Sequence, residues 1–188
     1  MLQRAFSTGH VAKTALRQLV KQRIAAMSGE EQRNEAALVC AQLLREEAVV
    51  RAGRVALYAA MEGRELDLAA AAAALERQGK QVLLPRLRPD GEMDFAAAEA
   101  GERHAMGFRQ PGPAAAAAVP EVVVCPGRAF DAAGHRVGWG RGYYDRALRL
   151  LPGVPTIGVC FACQVFEEVP HEPHDQPMDR VLHKHLLA

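Results

Sequence analysis

No apolar run in the 188 residues approaches the length of a bilayer core, so no segment is a candidate membrane-spanning helix. A net charge of +1 gives no overall pull toward nucleic acid; a polyanionic partner would need a local basic patch. Cysteine is scarce. Cys160 and Cys163 stand three apart, but no second pair and no nearby His-x-x-x-His completes a zinc site. Three of the four cysteines (Cys40, Cys125, Cys160, Cys163) lie in apolar runs, which reads as reduced, mostly buried thiols of a cytoplasmic protein. The histidines show no ligand spacing on a shared face, and there is no serine nucleophile elbow. Neither GxGxxG nor GxxxxGK[ST] occurs, which removes the usual dinucleotide and Walker-type readings. Acids are missing from the start: Arg4, Lys13, Arg17, Lys21 and Arg23 all precede the first one, Glu30. Such a start fits an organelle transit peptide, or a short disordered lead over residues 1–11 followed by an amphipathic helix. We favour the lead and helix.

What is present is an ordinary globular mixture, 49% hydrophobic and 24% charged, in a chain sized for one domain over residues 1–188. Ala12, Leu16, Leu19, Val20, Ile24 and Met27 recur at helical spacing. Ser28 and Glu31 then form a capping-box signature for a second helix reaching about Arg51, with Ala37, Leu38, Ala41, Leu44 and Ala48 as its apolar face. "RVALYAA" reads as a buried strand. A third helix covers roughly Leu68 to Gln78, and "KQVLLPR" is a strand closed by Pro85. "GEMDFA" is a further strand, and the Pro- and Gly-broken stretch after it is a crossing loop holding at most a short helix. "VVVCP" and "PTIGVCF" read as parallel-type strands on either side of a helix ending near Leu151. "ACQVFEEVP" reads as a short helix and "HDQPMDRVLH" ends in the last strand. Strands alternating with helices predict an α/β fold: a three-layer sandwich with a mostly parallel sheet covered by helices on both faces. Ligands in such sheets gather at the carboxyl ends of strands. Two loops there carry unusual chemistry, "EGRELD" and "PGRAFDAAGHRVGWGRGYYD".

In the second loop, Gly138, Gly140 and Gly142 free the backbone to turn amide N–H groups onto an anion. The helix that opens at Tyr143 adds its positive end, and Arg136 and Arg141 add charge suited to phosphate oxygens. We read the loop as a nucleotide-phosphate site. Asp145, in the first turn of that helix, either complements its dipole or holds Mg²⁺ beside phosphates; Asp179 is a second carboxylate for the same ion if the fold brings the two together. Tyr143 and Tyr144 point to different helix faces, one toward the core and one toward a ligand. Glu65 is either a solvated charge or an acceptor for a ligand's ring N–H groups.

Four pieces, in order from Lys13 to His183, resemble the 5-formyltetrahydrofolate cyclo-ligases, also called 5,10-methenyltetrahydrofolate synthetases. They are "KTALR", "YAAMEGRELD", "PGRAFDAAGHRVGWGRGYYDRAL" and "HDQPMDRVL"; the third is long and highly specific. The resemblance implies an enzyme that uses ATP and Mg²⁺ to cyclise 5-formyltetrahydrofolate, with or without a polyglutamate tail, to 5,10-methenyltetrahydrofolate. It implies that Lys13, Arg17, Arg136, Gly138, Gly140, Arg141, Gly142 and Tyr144 hold the nucleotide. Asp145 and Asp179 would then serve the metal, Glu65 the pterin, and Tyr143 would lie along the folate. Arg141, Tyr143 and Asp145 stand nearest the chemistry. The expected chain is a cytoplasmic monomer without nucleic-acid or membrane partners; the alternative is a relative that binds nucleotide or folate without turnover.

Four positions depart from the family pattern. Leu68 replaces a common threonine, "MEGRE" is one residue longer, and Arg141 stands where Lys or Gly is frequent. Trp139 is bulky for a variable loop position, where it shields phosphates, stacks on a ligand or stands exposed.

Overall fold

The computed structural model describes residues 10–97, 102–103 and 108–185. Helix α1 (His10–Ala25) leads into α2 (Gly29–Leu43) and the short α3 (Glu47–Arg51). The expected lead therefore overlaps α1 at residues 10 and 11, and its first nine residues lie outside the described ones. The Ser28 capping box is present: Ser28 Oγ accepts from the Glu31 N–H (3.1 Å), and Glu31 Oε2 accepts from the Ser28 N–H (2.7 Å). The helix behind it turns a different face inward from the expected one. Ala36, Val39, Cys40 and Leu43 are buried, whereas Leu38 is 41% exposed. Ala and Leu are so frequent here that neighbouring stripes look alike in sequence. The backbone also breaks between α2 and α3, with no Gly or Pro to announce it.

Strands β1 (Arg54–Ala56), β2 (Gln81–Leu87), β3 (Met93–Ala97), β6 (Val122–Cys125), β9 (Thr156–Val159) and β10 (Arg180–Leu182) form one sheet in the order β10-β9-β6-β1-β2-β3. All neighbours run parallel except β2 and β3. Pro85 does not close β2 but sits inside it, opposite Phe95. β1 has already ended opposite Leu83, so Pro85 has only β3 beside it and its missing N–H leaves no gap in the ladder. The crossing segment after β3 carries the two-residue strands β4 (Glu102–Arg103) and β5 (Arg109–Gln110), which pair with each other.

Alternate strand residues feed two cores, as strand periodicity requires. Val55, Val82, Val122, Val124 and Ile157 meet α1, α2 and α4 (Ala69–Arg77) through Leu16, Val20, Ile24, Val39, Leu43 and Leu75. Ala56, Leu83, Val123 and Cys125 meet Ala147 and Leu148 of α5 (Tyr143–Arg149) on the other face. Among the described residues α5 is the one helix there. Phe130 and Met178 fill the rest. Phe130 belongs to a small hairpin of β7 (Ala129–Phe130) and β8 (Arg136–Val137). Its ring lies where side chains on Gly127 and Gly158 would stand: a Cβ on either glycine would come within 2.5 Å of it. Asp131, 2% exposed, holds the hairpin turn by accepting from the N–H groups of Ala133 (3.0 Å), His135 (2.9 Å) and Val169 (3.0 Å). The turn aims β8, and the glycine loop after it, at the carboxyl ends of β1 and β6. No helix among the described residues is long and apolar enough to cross a membrane.

Candidate functional site

A cavity of about 420 Å³ opens at those strand ends. Its lining brings together Lys13 and Arg17 from α1, Glu65 from the loop after β1, Arg136, the whole glycine loop, and Tyr143, Tyr144 and Asp145 of α5. Eleven of the twelve residues singled out from the sequence therefore line this one cavity; Asp179 is the twelfth and does not.

One side of the cavity is cationic and internally paired. Arg17 Nε donates to the Gly138 carbonyl (2.8 Å), and its guanidinium packs where a side chain on Gly140 would begin. Gly140 has φ +97°, a conformation that favours glycine. Gly138 has its own reason: a Cβ there would lie 2.8 Å from Arg136 Nη1. Beneath the loop the Arg136 side chain, 4% exposed, donates from Nη2 to Asp145 Oδ1 (2.8 Å). The Gln176 N–H reaches the same oxygen at 3.3 Å, which ties the C-terminal segment to α5. Arg141 is exposed at the rim.

Lys13 Nζ sits 2.6 Å from Asp175 Oδ2 and 3.0 Å from Glu172 Oε2. Burial works against the Lys13 ammonium, but hydrogen bonds to Asp175 and Glu172 outweigh it and raise its pKa. Burial likewise pushes the Asp175 carboxyl up, and the bonds from Lys13 and the Glu172 N–H pull it down further, for a net lowering. Asp175 and Glu172 were missed in the sequence. The signal was the His-Asp of "HDQPMDRVL", whose first aspartate faces the cavity and whose second does not.

Asp179 is the correction. It stands immediately before β10, at the amino edge of a sheet whose site lies at the carboxyl edge. Its Oδ2 accepts from the Thr156 N–H (2.7 Å) and the Thr156 Oγ1 hydroxyl (2.9 Å), so this carboxylate caps the start of β9. The expectation that Asp145 and Asp179 meet over one ion is not met by this geometry.

The other side of the cavity is apolar around one buried carboxylate. Glu65 is 9% exposed and accepts from the Met61 N–H (2.9 Å) and the Trp139 indole N–H (2.8 Å). Burial raises its pKa; the two N–H donors, Arg128 and Arg64 pull back without cancelling it. Tyr58, Met61, Pro85, Leu87, Met93 and Phe108 line this side. Both tyrosines of α5 reach the cavity rather than one. The Tyr143 ring lies under the Arg146 guanidinium (5.2 Å) and Tyr144 under that of Arg136 (5.6 Å). The Tyr144 hydroxyl is buried and has no hydrogen-bond partner among the described residues, and burial raises its pKa well above the usual value.

The cysteines offer no chemistry to this site. Cys40, Cys125 and Cys160 are buried and Cys163 is half-buried; burial pushes the Cys125 thiol to about 12.

A model of the 5-formyltetrahydrofolate cyclo-ligase family matches residues 10–184. The 5-formyltetrahydrofolate cyclo-ligase of Escherichia coli K12 is 30% identical over 175 residues, covering 87% of this chain and 96% of that protein. The Mus musculus protein of the same name is 27% identical over 195 residues, with 94% and 96% covered. The NMR structure of the Aquifex aeolicus 5,10-methenyltetrahydrofolate synthetase superposes with a TM-score of 0.78 at 30% identity, covering 90% of this chain and 88% of that one. A 5,10-methenyltetrahydrofolate synthetase from Mycoplasma pneumoniae shares the fold at a TM-score of 0.75 and 22% identity, with 92% and 98% covered.

Proposed function

The chain belongs to the 5-formyltetrahydrofolate cyclo-ligase family, and from that premise we propose that it cyclises 5-formyltetrahydrofolate to 5,10-methenyltetrahydrofolate, with MgATP converted to ADP and phosphate. The observation that supports this best is the two-sided cavity: cations and a glycine loop on one wall, an apolar wall around a buried carboxylate on the other. A nucleotide triphosphate suits the first wall, and a flat heterocycle carrying N–H donors suits the second.

The reaction asks for positioning and charge neutralisation more than for covalent help from the protein. Transfer of the γ-phosphoryl group to the formyl oxygen turns a poor leaving group into phosphate. N10 attacks the resulting imidate phosphate, the C–N bond closes the ring, N10 gives up its proton to water or to the departing phosphate, and phosphate leaves. Arg17, Lys13 and Arg141 hold the phosphates, and the loop backbone between Gly138 and Gly142 lets them approach closely. Arg136 fixes the orientation of Asp145 through their 2.8 Å contact. Glu65 anchors the pterin, while Tyr143 confines the folate against α5. No side chain is assigned as an essential general base.

The carboxylates fit the metal. Asp145, Glu172 and Asp175 line the cavity beside its cations, and Mg²⁺ takes hard oxygen donors, usually one or two carboxylates together with phosphate and water. Asp145 and Asp175 would hold it, and when bound it would neutralise phosphate charge. Until nucleotide arrives, the Lys13 ammonium supplies the positive charge that Asp175 and Glu172 require.

The test is growth of the methenyltetrahydrofolate absorbance band with purified protein, 5-formyltetrahydrofolate and MgATP, leaving out each in turn. A rise that needs all three is expected. Binding of both substrates without any rise would overturn the enzyme reading in favour of a non-catalytic relative.

A further inference from the structure

We propose that Trp139 is the positioning residue for Glu65: its indole N–H, presented by the glycine loop, holds the pterin-anchoring carboxylate in place. This rests on the function proposed above and adds to it a residue outside the phosphate-binding set.

The Glu65 carboxylate is gripped at both oxygens by two different loops. Met61, four residues earlier, donates to Oε2 at 2.9 Å, and Trp139 donates to Oε1 at 2.8 Å from 74 positions away. The indole is itself fixed. The Arg128 guanidinium lies 4.5 Å from the ring centroid, Arg128 is 3% exposed, and its Nη1 donates to the Arg64 carbonyl at 3.2 Å. Arg128 also binds the end of β8, from which the glycine loop leaves, its backbone N–H donating to the Val137 carbonyl at 2.6 Å. One residue before Trp139, the Gly138 carbonyl accepts from Arg17 Nε at 2.8 Å. A side chain at position 139 with neither an N–H nor a flat ring could not satisfy both Glu65 and Arg128.

An ionised carboxylate has about four acceptor sites, so two N–H donors from the protein leave capacity for two from a ligand ring. The indole bond therefore orients Glu65 without filling it. It also favours the charged form. The charged and titratable groups around Glu65 are Arg128, Arg64, Tyr58 and Tyr144. Burial pushes the Glu65 carboxyl up, and the Met61 and Trp139 donors oppose that push. Removing one donor must raise it further, since a hydrogen bond to the charged form lowers a pKa.

Trp139→Phe tests this, because the ring over Arg128 remains and only the N–H is lost. The KM for 5-formyltetrahydrofolate is expected to rise about tenfold, the effect of one hydrogen bond to a charged group. The KM for ATP should stay within about twofold, and the acid limb of kcat/KM for the folate should move to higher pH. A Trp139 that merely packs would lower stability and leave that limb where it is, and an unchanged folate KM with an unchanged limb overturns the proposal. Calorimetric titration of 5-formyltetrahydrofolate into both proteins separates the two inferences. If neither protein turns over but the wild type binds about tenfold more tightly, the positioning role stands and the enzyme reading falls. Equal binding by both overturns the positioning role whatever the turnover.

Discussion

Asp145 and Asp179 stand at opposite edges of one mostly parallel sheet, and the two edges use the same residue types differently. At the carboxyl edge, charges pair across loops around open space: Arg136 with Asp145, Lys13 with Asp175 and Glu172. At the amino edge they close backbone ends. Asp179 takes the Thr156 N–H before β9 continues, and Glu121 Oε2 takes the Gly53 N–H at 2.6 Å while its Oε1 pairs with Arg54 at 2.9 Å. A carboxylate at the amino edge has its needs met by a strand start. One at the carboxyl edge is held by a side chain together with a loop N–H, and faces a cavity. The difference lies in the topology, not in the residue.

The sharpest trial of that difference is Asp145→Asn, which retains an acceptor for Arg136 and removes the charge. Turnover should fall at least about a hundredfold, as for loss of a carboxylate that holds the charge-neutralising metal, and the melting temperature should fall as well, because the buried Arg136 loses its counter-charge. Full activity in that variant would erase the distinction. Next in size, Lys13→Met should raise the ATP KM about tenfold, read from initial rates at saturating folate.

The same variant has a pH signature. Asp175 is held below its ordinary pKa in the folded chain, so its contribution is present above about pH 3.9 and is lost as pH falls through the lowered folded value. Lys13 is held above its ordinary pKa, so its contribution is complete below about pH 10.4 and is lost as pH rises through the raised folded value. Melting curves of the wild type should therefore slope down at both extremes, and those of Lys13→Met should be flatter at both.

Arg141→Ala, at the exposed rim, should raise the ATP KM about threefold and leave the folate KM alone, in keeping with a screened surface charge. Equal loss for both substrates would give Arg141 a structural role. Asp179→Asn should do least to catalysis: turnover within about twofold, with a melting temperature about 2–4 °C lower from a weakened strand cap worth ~1 kcal/mol. Loss of turnover with an intact fold would return Asp179 to the chemistry and collapse the contrast between the edges.

Which parts of this were legible in the sequence follows from range. The capping box at Ser28, the main sheet strands and the glycine loop are local signals, and they appear where the residues put them, apart from the continuation of β2 through Pro85 and the short pair β4 and β5 in the expected crossing loop. The family-specific stretch carried Arg136 through Asp145 to one wall, and the basic residues on α1 reached the same wall. The failures are non-local. Leu38 and Val39 differ by one position in an Ala- and Leu-rich helix, and only the packing partner chooses between them. Asp175 and Asp179 sit four residues apart in one motif; the turn into β10 sends one to the cavity and the other to the opposite edge. Trp139 looked like an excess of bulk in a flexible loop because its partner, Glu65, is 74 residues away.

The packing of Phe130 has a consequence for descent. Its ring fills the volume that side chains on Gly127 and Gly158 would take, and those glycines come from two separate parts of the chain, the loop after β6 and strand β9. A mutation that adds a methyl group at either glycine is viable only after the ring has shrunk, and a lineage whose ring has shrunk carries a void until a glycine grows. Growth at either glycine and shrinkage at position 130 should therefore occur together or not at all. A chain with alanine at 158 and a smaller residue at 130 would be the trace of that path.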